Sequence, residues 1–304
     1  MKTAGFRLVL GLLLSTAYCL LPTANSQTFD RTVIDANFPG AYQVEVADVN
    51  GDKKPDIIAL GGSTCAWYEN PTWKKRIVTG GKQTPGIIST ATADIDGDGK
   101  AEIAIAYEFA MNAPTTGKLL LAVQGRGLDD PWKLVPIADI GSIHRLRWGD
   151  INGDKRLDLV VAPIFGPKAK PPIYDDPARL VFFDGKEDIK GGKTTSVLLA
   201  TRPVIHAIEV SDAGQRGLPF ILTADNLGVG MVNPISPGRN EVIDLVTGAK
   251  GDAPKRGCSE IHLGQLKDGM RFLATLEPWH GNQVVVHLGT NGGSEAPKFP
   301  PREF

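Results

Sequence analysis

Three stretches of this chain repeat one spaced set of oxygen-bearing side chains: Asp48, Asn50, Asp52 and Asp56; Asp94, Asp96, Asp98 and Glu102; Asp150, Asn152, Asp154 and Asp158. Each set has a glycine (Gly51, Gly97, Gly153) at its fourth place. Oxygens at positions 1, 3, 5 and 9 of a tight loop form the array that hard cations such as Ca²⁺ select. Apolar runs flank the loops, among them Val44–Val46, Ile57–Leu60, Ile103–Ala106 and Leu159–Ala162. Each loop is therefore expected to turn a β-hairpin, and a hairpin recurring at long period is a repeat architecture.

Two degenerate copies follow the clear three. His206 to Asp212 has the rhythm of His144 to Asp150, and His262 to Asp268 is a shorter fifth version. The anchor aspartates fall at 48, 94, 150, 212 and 268. Third strands are expected at Cys65–Tyr68, Leu119–Val123, Leu180–Phe183, Gly228–Val232 and Gln283–His287, with a fourth in every unit but the last. Four short strands per unit at this period predict an all-β fold, a β-propeller. Five blades are readable; the rival is a seven-bladed ring cut short. Thr28–Ile34 is expected as a spare strand that completes the fifth blade and removes its open edge.

An EF-hand needs a bidentate glutamate at position 12, where this chain has Ala59, Ile105 and Val161. A plain Asp-Gly turn without metal is the bland alternative. Three copies with four aligned ligands each favour structural Ca²⁺, which offsets the mutual repulsion of the packed carboxylates.

Residues 1–26 read as a signal peptide: Lys2 and Arg7, an apolar run from Leu8, then Ala24-Asn25-Ser26 before the cut. That predicts a secreted or periplasmic protein, with the propeller over 27–288 and a Gly/Pro-rich tail over 289–304. No later stretch is long and apolar enough to span a membrane. The charge is near neutral, −1 overall, without the clustered basic surface of a nucleic-acid binder. Beyond the leader, Cys65 and Cys258 can pair or remain separate buried thiols. Their spacing leaves both readings open.

The chain has 5 histidines. Three of them, His144, His206 and His262, stand six residues before an anchor aspartate. In a propeller that column opens the inner strand of each blade, at the channel mouth opposite the calcium loops. His280, on a loop joining second and third strands, reaches the same mouth. Three neutral imidazoles around the axis can hold Zn²⁺ or another divalent transition metal and leave positions open. Taken singly, each is more simply a hydrogen-bonded core histidine. Glu260, on the same side of its strand as His262, is a candidate ligand, orienting partner or base beside His280. Trp279 and Tyr107 are candidate substrate contacts. No Gly-x-Ser-x-Gly elbow supports a serine hydrolase.

The loops followed by Trp67-Tyr68-Glu69-Asn70 resemble the FG-GAP/VCBS repeats of extracellular propellers. The histidine pattern, Ser-Ile-His144, Val-Ile-His206, Glu-Ile-His262 and Glu-Pro-Trp-His280, is similar to that of the propeller of aldos-2-ulose dehydratase and its bacterial relatives. The resemblance implies a metal-dependent carbon–oxygen lyase acting on keto-sugars such as anhydrofructose. No cupin domain is readable in this sequence, and five blades are readable against the family's seven. The alternative is a non-catalytic, calcium-stabilised module that binds a glycan or a protein.

Overall fold

A computed structural model describes residues 30–211, 219–234, 241–289 and 299. The chain divides into two units, Met1–Ala36 and Asn37–Phe304. In the first, residues 30–36 form no strand and Val33 is exposed. The leader, Asp212 and most of the tail lie outside the described residues.

The second unit is a succession of antiparallel sheets. The first blade contains β1 (Ala41–Ala47), β2 (Asp56–Gly61), β3 (Thr64–Glu69) and β4 (Lys74–Thr79). The second contains β5 (Ser89–Ala93), β6 (Glu102–Tyr107), β7 (Lys118–Val123) and β8 (Lys133–Asp139). The third contains β9 (Ile143–Gly149), β10 (Asp158–Pro163), β11 (Ala178–Phe183) and β12 (Ser196–Arg202). The fourth contains β13 (Ala207–Ser211), β14 (Phe220–Asp225), β15 (Gly228–Val232) and β16 (Val242–Thr247), and the fifth β17 (Glu260–Gln265), β18 (Arg271–Glu277) and β19 (Gln283–Leu288). Strands in each sheet pair in chain order. The all-β propeller reading holds, and the hairpins turn where the aspartate loops were expected.

Alternation along the strands explains the stacking. On β6, Ile103 and Ile105 join Ile58, Leu60 and Trp67 of the first blade. Between them, Ala104 faces the opposite way and packs with Leu121, Leu146 and Val161 toward the third. The same device joins the third blade to the fourth through Val160, Leu180 and Ile221, and the fourth to the fifth through Leu222, Ile261 and Leu273. Fully burying each such side chain contributes about 1.5–3 kcal/mol. The cysteines sit in different interfaces, Cys65 in the first and Cys258 in the last, both buried and free.

The spare-strand expectation is corrected. The fifth sheet has three strands, and the described part of Thr28–Ile34 has none. Inner strands β1, β5, β9, β13 and β17 pack each on the next, but no comparable packing joins β17 to β1. The outward faces at the two ends of the series are accordingly open: Val44 is 71% exposed and Val284 77%. Among the described residues no helix is long and apolar enough to cross a membrane.

Candidate functional site

Three histidines from three loop or strand starts meet at one mouth. His144 opens β9 beside a register irregularity opposite Ala162 and Pro163, and its Nδ1 lies 2.9 Å from the carbonyl oxygen of His206. His206 precedes β13, and its Nδ1 lies 2.6 Å from the carbonyl oxygen of Ser259. A ring nitrogen that close to a carbonyl must donate, so both imidazoles are Nδ1–H tautomers with a lone pair on Nε2. His206 Nε2 faces His280 Nε2 at 3.1 Å. Since His206 accepts there, His280 donates, which leaves His280 Nδ1 as a free acceptor. The rings of His144 and His206 are 4.5 Å apart by centroid, those of His206 and His280 4.8 Å.

Burial governs their electrostatics. It pushes His144 well below the usual imidazole range, helped by the positive charge of Arg145. It pushes His206 down to about 3, again with Arg145 contributing. Both are neutral at physiological pH. His280 is exposed, at a left-handed φ of +53° that a side chain rarely adopts. Strained backbone of this kind clusters at functional positions.

Aromatic residues wall the mouth. Trp279 stacks edge-on against His280 and His206, Phe109 lies 5.5 Å from His144, and Phe165 stacks on Tyr174. Trp279 is buried among Ile164, Phe165 and Val204, so it excludes water and offers no open stacking face. Its Nε1 has no hydrogen-bond partner. Below the mouth a cavity of about 840 Å³ is lined by Tyr42, Glu45, Arg145, Arg147, Glu260 and His262, among others.

The histidine column needs one correction. His262 is 75% exposed by side chain and pairs with Glu209, Nδ1 to Oε2 at 3.3 Å, apart from the other three. The repeating bond shows why: His144 reaches the carbonyl of His206, and His206 that of Ser259. Ser259 thus occupies the third place, three residues before His262. In the fifth unit the strand runs further before Asp268, so counting back from that aspartate lands too late. Glu260 is also displaced from the proposed base position. Its Oε2 lies 3.8 Å from Arg145 Nη2, and that arginine stands between it and His144. Tyr107 ends β6, half-buried opposite Lys118, and its insertion contributes Phe109 to the mouth instead. Phe109 escaped the sequence reading because it reaches His144 from another blade, as Tyr42 does, and no local pattern encodes that approach; Arg145, the next residue on β9, turns back onto the His144 ring.

The three-imidazole metal centre does not fit these side chains. His144 Nε2 is turned to the Tyr42 hydroxyl at 3.4 Å and to Arg145 Nη1 at 3.3 Å. Among the described residues, the one set of three His, Cys or carboxylate groups with ligand atoms within 4.8 Å of one another is Asp94, Asp96 and Glu102. That set belongs to an aspartate loop and has the oxygen-only chemistry Ca²⁺ selects. The three loops share a scaffold. Asp48, Asp94 and Asp150 each accept backbone N–H groups from their own loop (Gly51 at 2.8 Å, Gly97 at 2.7 Å, Gly153 at 2.8 Å). Those glycines take φ of +77° to +80°. At position 9 the side chains are buried beneath the loop: Asp56, Glu102 and Asp158. Burial raises all three above the usual carboxylate range, Asp158 to about 6. Each loop has an ammonium on one of its carboxylates, Lys54 on Asp52 and Lys186 on Asp154 in the first and third, but in the second it reaches position 9: Lys190 Nζ stands 2.9 Å from Glu102 and also bonds Asp96.

Comparison with known proteins agrees with this architecture. Residues 119–290, more than half of the chain, match the family model described as the aldos-2-ulose dehydratase β-propeller domain. Residues 48–105 match that of the FG-GAP-like repeat. Among solved structures, a lectin of Agrocybe aegerita, described as specifically recognising non-reducing terminal N-acetylglucosamine, aligns at 15% identity and a TM-score of 0.55. The alignment covers 87% of this chain and 66% of that one, so this chain spans just under two thirds of the lectin's length. At that identity the likeness is one of fold. An exotype rhamnogalacturonan lyase aligns less well, at 15% identity and a TM-score of 0.42, over 86% of this chain and 56% of that one. No curated protein sequence matches.

Proposed function

This chain belongs to the aldos-2-ulose dehydratase β-propeller family, and on that premise we propose that its histidine mouth dehydrates a ketone-bearing sugar. One observation carries the reading: the His206–His280 contact at 3.1 Å, with His206 fixed as an acceptor by the Ser259 carbonyl. That leaves His280 Nδ1 as a base at the rim. It removes the acidified proton α to the ketone, the carbon–carbon double bond forms, and the β-hydroxyl departs with that proton as water. The Arg145 guanidinium faces the negative charge that develops on the ketone oxygen. His206 is a positioning residue: neutral, it holds the His280 ring and cannot itself keep the proton. Trp279 and Phe109 keep bulk water from the reacting atoms.

Two further parts belong to the reading. The aspartate loops hold Ca²⁺ as a structural ion, and residues 1–26 direct export.

The test is the absorbance of an enone product when the purified protein is given 1,5-anhydrofructose. The expected result is turnover that falls by about 100-fold or more in His280→Ala. Turnover unchanged by that substitution would overturn the assignment of His280. Sugar binding without any product would leave the binding-module alternative. Stoichiometric zinc lost in His144→Ala would restore the three-imidazole centre and contradict the base mechanism.

A further inference from the structure

The cavity below the mouth places two guanidinium groups beside two carboxylates, Glu45 and Glu260. Arg145 and Arg147 both line it. Arg147 Nη1 donates to the Leu146 carbonyl at 2.8 Å, and among the described residues no carboxylate stands within ion-pair distance of it. The neighbouring acids are engaged elsewhere. Glu45 accepts from Thr92 Oγ1 at 2.6 Å and Gln43 Nε2 at 2.8 Å. Glu209 takes the Leu263 N–H at 3.1 Å and pairs with His262. Glu45, Glu260 and Glu209 all act on Arg147 through space, but among the described residues the carboxylate within ion-pair distance of either arginine is Glu260, 3.8 Å from Arg145, well beyond the roughly 2.7–2.9 Å of a charge-assisted hydrogen bond.

We propose that this cavity is the subsite for a carboxylate-bearing sugar, a uronate or aldonate residue, whose carboxylate takes the fork of Arg147. A guanidinium presents two parallel N–H groups that match a carboxylate in bidentate fashion. The volume, about 840 Å³, lies within the range of roughly 300–1,000 Å³ common to small-ligand sites. Tyr42 and Trp148 supply apolar wall for a sugar face. Arg145 touches both His144 and the cavity, so a ligand held here extends toward the histidine mouth. Burial also pulls Arg147 below its ordinary value, against the opposing attraction of Glu45, Glu260 and Glu209. The choice of a sugar rests on the dehydratase reading; the anion pocket does not.

Calorimetric titration of the full-length protein tests it, with glucuronate, glucuronate methyl ester and inorganic phosphate as probes. Glucuronate is expected to bind at least tenfold more tightly than the uncharged ester, and less tightly as salt rises. Arg147→Met is expected to weaken glucuronate about tenfold without changing the melting temperature. Glu260→Gln removes one competing carboxylate and is expected to strengthen binding. Equal binding of acid and ester, or an Arg147→Met variant that binds as well as the parent, overturns the proposal. Phosphate held as tightly as glucuronate overturns the sugar assignment. If the differences hold while no variant turns over a keto-sugar, the dehydratase reading falls alone.

Discussion

At the scale of single residues, a histidine whose Nδ1 lies 2.6 Å from a carbonyl has no choice of tautomer. The consequence reaches the stability of the whole chain. In the unfolded chain His206 takes a proton below about pH 6.5, whereas the folded state resists protonation down to about 3. The unfolded state therefore binds more protons across that window, and stability falls as pH falls through it. Between pH 7.5 and 5 this one buried imidazole costs about 2 kcal/mol, and His144 acts in the same direction. Urea midpoints at the two pH values check it. The parent is expected to lose markedly more than His206→Gln, and equal losses would contradict the buried neutral imidazole.

At the scale of elements, the hairpin loops make a separate claim. If Ca²⁺ fills them, an ion at 100 times its dissociation constant stabilises the fold by about 2.7 kcal/mol per site. Chelation should then lower the melting temperature by about 5 °C or more, and Asp150→Ala should shrink that drop. The second loop supplies a sharper expectation, because the Lys190 ammonium already neutralises Asp96 and Glu102. Lys190→Met should enlarge the effect of chelation. Melting unmoved by chelator in all three proteins would return the loops to plain turns.

The same elements mark what was legible in the chain. Asp48, Asp94 and Asp150 announce a turn and its register by themselves, since a short acidic side chain builds its own loop. The blades followed from that, as did the meeting of His144 with His206. His262 was misplaced because the fifth unit lacks the acidic loop that sets register, so its aspartate is a poor ruler. The Tyr42 and Phe109 contacts with His144 depend on how neighbouring sheets stack, and periodicity along one strand contains no such information.

At the scale of the molecule, the sheets form a series whose ends are not sealed against each other. The apolar faces of β1 and β19 stay exposed, with Val44, Val46, Val284 and Val286 outward, while Leu121 and Leu146 are wholly buried between blades. Substitution distinguishes the two classes. Val44→Lys and Val284→Lys should each change stability by less than about 0.5 kcal/mol, whereas Leu121→Ala should cost about 2–5 kcal/mol. Large losses from the valine variants would mean that the end faces are packed. What the series accomplishes is the gathering of His144, His206 and His280 from distant parts of the chain. Imidazole ¹⁵N resonance measurements on the full-length protein test that gathering most directly. His206 should show a protonated Nδ1 and a bare Nε2, unchanged from pH 7.5 to 5, with Nε2 shifted when His280 is replaced by alanine. A His206 ring that titrates near pH 6.5, or ignores the loss of His280, would contradict the site.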